Sequence, residues 1–339
     1  MKLSGRYVAA LIGTVLIVLI IIAERSFNHE DPFEPAAGRC APFDRNRVNG
    51  LLRNATATPL NKLILLSPQP PSVSSPPQLI VLIPTVASEV QQRQTIRDTW
   101  ANPNESTGIQ SGNARLMFVI GSNPQSPNDT GLAGEVSSHG DILLISVEET
   151  YTNLIFKELV AFRWTTIHFS NAHILKTDVD VVVHVDRLLQ QLGQLQLDDN
   201  TILCNHYTHN DFRYVPHSAY PHSHFPQYCA GAGYLMTGHA IGRLVNAAAE
   251  IEAFTVEDAF LTGVAASKAA LSHRCATSFM SHIYSTSSCC SSSSPSLSVV
   301  CLHGQKPSKD MKIGWNMLKN ISCDGNCMFE RVKSMVKCI

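Results

Sequence analysis

A regular succession of short apolar strands and helical segments constrains the fold of this chain more than any other feature. Buried-strand patterns occupy residues 79–84, 115–121, 141–146 and 172–176, and helical patterns occupy residues 88–100 and 152–169. Continuous apolar strands separated by helices predict a mainly parallel sheet that is covered on both faces. We therefore expect an α/β domain over residues 78–339.

The strand pattern at residues 172–176 runs directly into an Asp-x-Asp triplet, in which Val179 separates Asp178 from Asp180. In an extended segment side chains alternate, so the two carboxylates are expected on one face. Mg²⁺ and Mn²⁺ prefer oxygen ligands and are commonly held by one or two carboxylates together with substrate phosphates. The triplet predicts a metal-assisted nucleotide-sugar site, and the alternative is a solvated turn at the end of a strand.

Six blocks of the sequence resemble the β1,3-galactosyltransferase family, which also includes β1,3-N-acetylglucosaminyltransferases. The blocks are RQTIRDTW (93–100), the stretch from Thr150 to Trp164, KTDVDVVVHVD (176–186), FPQYCAGAGYLMTG (225–238), EDAFLTG (257–263) and HGQKPSKDMKIGW (303–315). They follow the order of the family over about residues 78–318. The resemblance implies a GT-A-type, Rossmann-like nucleotide-sugar-binding fold and an inverting, metal-dependent transferase.

The resemblance also implies roles for single residues. Asp178 would contact the uridine and ribose side of the UDP-sugar, while Asp180 and His303 would bind Mn²⁺ or another divalent cation. Asp258 would be the general base that deprotonates the acceptor hydroxyl. The structural alternatives are that Asp258 begins a helix near Ala259, where acidic residues are favourable, and that His303 is satisfied at a helix start.

Two arginines in the first block form a further candidate for donor binding. Arg93 and Arg97 are one helical turn apart, so they share a face and could reach the uridine or the diphosphate. The alternative is a structural pairing with Asp98 or Glu89.

The resemblance places five residues at the sugar and acceptor cleft: Tyr228, Gly231, Gly233, Tyr234 and Glu257. Glycines permit positive φ and a close approach of the backbone to a ligand, so Gly231 and Gly233 alone would indicate a turn. The resemblance implies that the block is a loop lining the cleft. Neighbours in an extended stretch face opposite ways, so Glu257 is expected to make a structural hydrogen bond or salt bridge while Asp258 acts. Packing in the core is the alternative for both tyrosines.

An uncharged apolar run at residues 7–23 predicts a single transmembrane helix. As a helix it would reach roughly 26 Å, close to the hydrocarbon thickness of a bilayer. Basic residues precede the run and acidic residues follow it, which favours a cytoplasmic tail at residues 1–6 and a lumenal remainder. A Pro/Ser-rich stem is expected at residues 24–77, and a cleaved signal peptide is the alternative to the anchor.

Two further signals agree with a lumenal location. All ten cysteines lie beyond the apolar run, which makes disulfides the default interpretation in an oxidising compartment. Four N-glycosylation motifs lie on the same side, at Asn54, Asn104, Asn128 and Asn320. With the family resemblance, the expected location is the Golgi membrane, in single-pass type II orientation.

The expected activity is transfer of a hexose, galactose by resemblance, from a UDP-sugar to the 3-hydroxyl of a glycan on a glycoprotein or glycolipid. A transferase for N-acetylglucosamine or N-acetylgalactosamine is one alternative, and a catalytically inactive lumenal binding or chaperone paralogue is another. The net charge of −1 disfavours a nucleic-acid partner. The sequence departs from the family at Val179, at Phe169 and Ala265–Ala266, where cysteines are usual, and in a Ser/Cys-rich insertion at residues 285–298.

Overall fold

The computed structural model describes residues 44–68, 76–122, 130–207, 220, 222, 225–254, 256–275, 280–282, 301–303 and 308–320. The strands within these residues are β1 Ile64–Leu66, β2 Leu79–Thr85, β3 Ala114–Ser122, β4 Ile142–Ser146, β5 His173–Thr177, β6 Val181–Val183, β7 Thr201–Tyr207, β8 Tyr228–Thr237, β9 Ser272–Cys275, β10 Met280–His282 and β11 Cys301–His303.

The α-helices of the described residues are α1 Arg45–Ala57, α2 Leu60–Leu63, α3 Val90–Asp98, α4 Thr107–Gln110, α5 Thr130–His139, α6 Leu154–His168, α7 Val185–Leu195, α8 Gly238–Ala248, α9 Ala266–Lys268 and α10 Ser308–Asn320. A 3₁₀ turn at Tyr151–Asn153 precedes α6, and a π-helix at Ala259–Ala265 precedes α9.

Eight strands form one mixed sheet in the order β1-β4-β3-β2-β5-β8-β7-β9. Its centre, β4-β3-β2-β5, is parallel, which confirms the four predicted strands and their direction. Beyond β5 the prediction of a mainly parallel sheet is wrong, because β8 runs antiparallel to both β5 and β7. The four parallel strands bring their carboxyl ends to one edge, where the Asp-x-Asp triplet begins.

The core lies on both faces of the central strands. The first five residues of β2, Leu79 to Ile83, are at most 1% exposed, as expected for a strand covered by helices on either side. Helix α6 packs on this sheet and also contacts α1 and α8. Its residues 155–162 are all buried, which explains why its apolar pattern extends around the helix instead of forming one stripe.

Helix α1 and strand β1 belong to the folded unit, although both lie within residues 24–77, for which the sequence predicts a stem. Val48, Leu52 and Ala55 form one buried face of α1 at spacings of four and three residues. Asp44 caps the helix by accepting a hydrogen bond from the Arg47 N–H at 3.0 Å. Since β1 then pairs antiparallel with β4, the folded unit begins near residue 44.

Several predicted features lie outside the described residues: the tail at 1–6, the transmembrane segment at 7–23, the first part of the stem, the insertion at 285–298 and Asn128. Within the part of the chain that the structure describes, no helix combines the length and apolarity needed to cross a membrane. The other three glycosylation motifs have exposed asparagines, at Asn54, Asn104 and Asn320.

One disulfide lies within the described residues, between Cys204 on β7 and Cys229 on β8, with Cα atoms 5.7 Å apart. It joins two neighbouring strands just before the glycines of β8. Cys301 is a free, fully buried thiol, so the default interpretation of disulfides is wrong for this residue. Its side chain packs in the hydrophobic core as a small apolar group.

Candidate active site

The Asp-x-Asp triplet forms a turn between β5 and β6. The backbone N–H of Val181 donates to the carbonyl of Asp178 at 3.2 Å, so the expected extended conformation is wrong. The turn nevertheless directs the outer carboxylates to a common place, while Val179 is 6% exposed and packs in the hydrophobic core. A middle residue that points into the core explains how valine can occupy this position without removing a ligand.

A three-stranded sheet, β10-β11-β6, brings His303 to the triplet. Strand β6 follows the turn at once, and β11 pairs with it antiparallel so that His303 lies opposite Val181. The imidazole Nε2 is thereby 3.8 Å from Oδ1 of Asp180. The backbone pairing of two short strands therefore joins residues that are more than a hundred positions apart in the sequence.

Asp178, Asp180 and His303 form a group suited to a divalent cation. Each offers one ligand atom, and these atoms lie within 4.8 Å of one another. The side chains of Asp180 and His303 are 14% and 30% exposed, so the group is open on one side. Two carboxylates and one imidazole with an open side fit Mn²⁺ or Mg²⁺, which retain positions for water and phosphate oxygens.

Asp258 stands at the start of the π-helix, a geometry that is frequent at functional sites. Its Oδ1 accepts from the backbone N–H of Ala259 at 2.9 Å, and its Oδ2 accepts from that of Gly231 at 3.2 Å. The pKa of Asp258 is raised to about 7, mainly by burial and further by the charge of Glu257. Lys176 and the two N–H donors oppose this rise. A carboxyl group with such a pKa can exchange a proton near neutral pH.

The glycines of the 225–238 block lie in strand β8, so the expected loop is wrong. Neither Gly231 nor Gly233 has positive φ; Gly231 instead allows a close approach. A Cβ there would lie 3.3 Å from Oδ2 of Asp258, and Gly233 pairs with Thr177 across the sheet. A Cβ at position 231 would fit only if the neighbouring carboxylate moved by a few tenths of an ångström.

The two tyrosines of this block are buried. Tyr228 is 7% exposed and packs edge-on against Phe225, and Tyr234 is fully buried beneath the site. The hydroxyl of Tyr234 is 3.1 Å from a carboxylate oxygen of Glu257, which is itself 5% exposed. Core packing, the alternative considered for the tyrosines, describes both of them, and Glu257 makes a structural hydrogen bond.

A buried lysine connects the two halves of the site, and the sequence analysis did not assign it a role. The Lys176 ammonium donates to Oδ1 of Asp178 at 3.1 Å and to the carbonyl of Gly231 at 2.9 Å. It also lies 3.4 Å from Glu158 of helix α6. A lysine at the end of an apolar strand and a glutamate within a mostly apolar helix were the available signals, since charges in buried elements need partners.

Arg93 and Arg97, for which the sequence predicts a donor role, both have their guanidinium groups in a structural network. Arg93 is fully buried and forms a bidentate pair with Glu135 at 2.7 and 2.8 Å. Its other donors reach the carbonyls of Val86 and Ala87. Arg97 forms a bidentate pair with Asp141 at 2.8 Å. A structural pairing was the alternative considered, but with other partners.

The comparison with known families identifies the class. Residues 91–276, more than half of the chain, match the family model described as Galactosyltransferase. The chain belongs to this family of glycosyltransferases, and its resemblance to the β1,3-galactosyltransferases is confirmed.

Individual relatives carry different sugar names. The chain is 29% identical to UDP-GalNAc:beta-1,3-N-acetylgalactosaminyltransferase 1 of Mus spicilegus over 196 residues. The aligned region is 55% of this chain and 58% of the relative. The chain is 30% identical over 195 residues to UDP-GlcNAc:betaGal beta-1,3-N-acetylglucosaminyltransferase 7 of Rattus norvegicus, covering 54% and 49%. For Beta-1,3-galactosyltransferase 1 of Mus musculus the identity is 26%, covering 64% and 68%. The match thus spans less than two thirds of the first relatives.

Among solved structures, the galactosyltransferase LgtC in complex with donor and acceptor sugar analogs shows a distant likeness. Its sequence identity is 12% and its TM-score is 0.38, covering 72% of this chain and 97% of that chain. At this TM-score the likeness does not assign a fold.

Proposed function

We propose that the protein transfers a hexose from a UDP-sugar to the 3-hydroxyl of a glycan acceptor, with inversion and with a divalent cation bound. Family membership supports the reaction class. The observation that carries the proposal is the arrangement around Lys176. Its ammonium donates to Asp178 and to the carbonyl of Gly231, and the backbone N–H of Gly231 donates to Asp258. A metal-binding carboxylate and a buried base thus belong to one connected site.

On the donor side, Asp180 and His303 would hold Mn²⁺ or Mg²⁺, and Asp178 would assist or contact the ribose. When bound, the cation supplies positive charge to the diphosphate of the leaving UDP. Lys176 fixes Asp178 through its 3.1 Å contact, and the backbone pairing of β6 with β11 fixes His303. These supports hold the ligand atoms in place before the donor arrives.

On the acceptor side, Asp258 is proposed as the general base. The two backbone N–H donors that contact its oxygens fix the plane of the carboxylate. The acceptor 3-hydroxyl would transfer its proton to a carboxylate oxygen while its own oxygen attacks the anomeric carbon and UDP leaves from the opposite face. A single displacement of this kind inverts the anomeric configuration and gives a β1,3-linkage.

Galactose is the first candidate for the transferred sugar, because of the family description. A second candidate is an N-acetylhexosamine, since two relatives are named for the transfer of N-acetylgalactosamine and N-acetylglucosamine. The two candidates share the site chemistry and differ in the group at carbon 2 of the donor sugar.

We also propose a GT-A-type arrangement of the domain and a Golgi location, with residues 7–23 as a type II anchor. The apolar run and its flanking charges support the anchor. A chain starting near residue 30 behind a cleavable signal should be secreted in soluble form. If it stayed with membranes, a single N-terminal anchor would be excluded.

A UDP-release assay tests the proposed reaction. Full-length protein in detergent would be supplied with Mn²⁺, with UDP-galactose, UDP-N-acetylglucosamine or UDP-N-acetylgalactosamine in turn, and with a panel of β-linked glycan acceptors. Acceptor-dependent UDP release with one donor, and a new β1,3-linkage in the product, are expected. UDP binding without turnover of any donor and acceptor pair would instead favour the inactive binding paralogue.

A further inference from the structure

Four buried polar side chains lie beneath the site: Glu158, Lys176, Tyr234 and Glu257, each at most 5% exposed. The Lys176 ammonium is 3.4 Å from Oε1 of Glu158 and 3.5 Å from Oε2 of Glu257. We call these four residues the buried cluster. The reaction proposed above assigns no proton to any of them.

The hydrogen bonds of Tyr234 do not balance if both glutamates are ionised. Its hydroxyl oxygen is 3.1 Å from Oε2 of Glu158 and also 3.1 Å from Oε1 of Glu257. A phenol carries one proton and can donate one hydrogen bond, whereas an ionised carboxylate can only accept. One of the two contacts would therefore join two acceptors. A proton on one glutamate provides the second donor.

The charges of the cluster lead to the same conclusion. With both glutamates ionised, one buried ammonium would face two buried carboxylates, and Asp178 would be a third negative neighbour. An uncompensated buried charge is costly, and such groups take up a proton instead. With one proton, Lys176 and the two glutamates together are neutral, and Asp178 remains available to the cation.

The surroundings of Glu257 favour its protonated form. Burial raises the pKa of Glu257 well above its usual range, and the neighbouring Glu158 carboxylate raises it further. Burial and the two glutamates also raise the pKa of Tyr234, so the phenol keeps its own proton. Lys176 lowers the pKa of Glu257 and Asp178 raises it, and the charge of Glu257 in turn raises the pKa of Asp258 and of Tyr151.

We propose that Glu158 and Glu257 share one proton in the folded protein, and that Glu257 is thereby a positioning residue which presents a neutral group beside Asp258. The positioning role of Glu257 rests on the function proposed above. Because the charge of Glu257 is one cause of the raised pKa of Asp258, its neutralisation leaves the base ionised at lower pH. Glu257 acts through Asp258 and does not itself exchange a proton with the acceptor.

The first test needs no variant and no activity. Full-length protein carrying ¹³C-carboxyl glutamate is compared with unlabelled protein by infrared spectroscopy at neutral pH. A labelled band of a protonated carboxyl group is expected in the folded protein and should vanish on unfolding. If every glutamate gave only the ionised band, the shared proton would be excluded, whatever the outcome of transfer assays.

The second test measures stability against pH for wild type and Glu257→Gln, whose neutral amide imitates the protonated acid. A folded-state pKa above the unfolded one gives stability that is lost as pH rises. Above the unfolded glutamate pKa of about 4.3 and below the raised pKa of the folded state, the unfolding equilibrium constant of wild type should therefore rise about tenfold per pH unit relative to the variant. The buried Trp100, Trp164 and Trp315 report unfolding by fluorescence. Parallel profiles for the two proteins would overturn the proposal.

A third measurement separates positioning from mere packing. In Glu257→Gln the acid limb of the kcat–pH profile should stay at its wild-type pH, because the neighbour of Asp258 was already neutral. A limb that moved to lower pH would show that Glu257 is ionised in wild type. If the infrared band is present and no acceptor is turned over, the proposed function fails while the shared proton stands.

Discussion

The backbone N–H of Gly231 donates to Oδ2 of Asp258 over 3.2 Å, and a Cβ at position 231 would lie 3.3 Å from that same oxygen. This hydrogen bond connects strand β8, which pairs with β5, to the carboxylate that we propose as the base. Gly231→Ala should push Asp258 by a few tenths of an ångström, because the added methyl group meets it more closely than ordinary packing allows.

The expected effect of Gly231→Ala is a fall in kcat of about tenfold, since small displacements of a reacting group are costly. UDP affinity should stay unchanged. Gly193→Ala is the matched control, because a Cβ there meets nothing within 4 Å. Steady-state kinetics measure kcat, and a calorimetric UDP titration measures the affinity. Equal kcat values for the two alanine variants would show that the contact between Gly231 and Asp258 does not affect catalysis.

The pH dependence of kcat should show one acid limb that belongs to Asp258. Burial is the largest cause of its raised pKa, which reaches about 7 with the charge of Glu257 included. The base must be deprotonated, so activity rises with pH through a midpoint above the ordinary aspartate value of about 3.9 and no higher than about 7. Rates measured at saturating substrate give this midpoint. A profile that is flat down to about pH 4 would contradict the assignment.

Arg93 should matter for folding and not for donor binding. Arg93→Met leaves Glu135 buried with one partner fewer, and removing one member of a buried ion pair typically costs about 3–5 kcal/mol. We expect a lower Tm with an unchanged Kd for UDP. The exposed Arg53 provides the control Arg53→Met, which should leave both values unaltered. A weaker Kd at constant Tm would support the donor role of Arg93.

Asp180→Asn should abolish the Mn²⁺ dependence of UDP binding and lower turnover on the order of 10²-fold, because a neutral amide is a poor ligand for a hard cation. Asp98→Asn makes the same chemical change at an exposed carboxylate on α3 and should have no effect. Calorimetry of UDP with and without chelator measures the difference. Full Mn²⁺-dependent binding by Asp180→Asn would show that the cation is held elsewhere.

The sequence predicts the parts of this fold that depend on local periodicity. The four parallel strands and helices α3 and α6 follow from apolar patterns that each segment carries by itself. The antiparallel direction of β8 and the packing of α1 could not be predicted, because both depend on contacts with distant segments. Arg93 shows the same limit, since its partner Glu135 is 42 positions away.

In the candidate site, too, the sequence predicts local motifs but not the contacts between distant segments. The Asp-x-Asp triplet and the pair Glu257–Asp258 were recognisable as motifs, although the turn at Asp178 and the strand at Gly231 were expected in other conformations. Lys176 was missed because its importance lies in three carboxylates from different elements, which only the folded chain brings together.

Asp258→Asn separates the chemistry that we assign to Asp258 from the binding of the donor by other residues. The substitution keeps the shape of the side chain and removes its ability to accept a proton. A calorimetric UDP titration with Mn²⁺ is made beside a transfer assay on the same preparation. We predict near wild-type UDP affinity together with a loss of kcat of about 10² to 10⁴. Undiminished turnover by Asp258→Asn, or loss of UDP binding together with folding, would contradict the role of Asp258 as the general base.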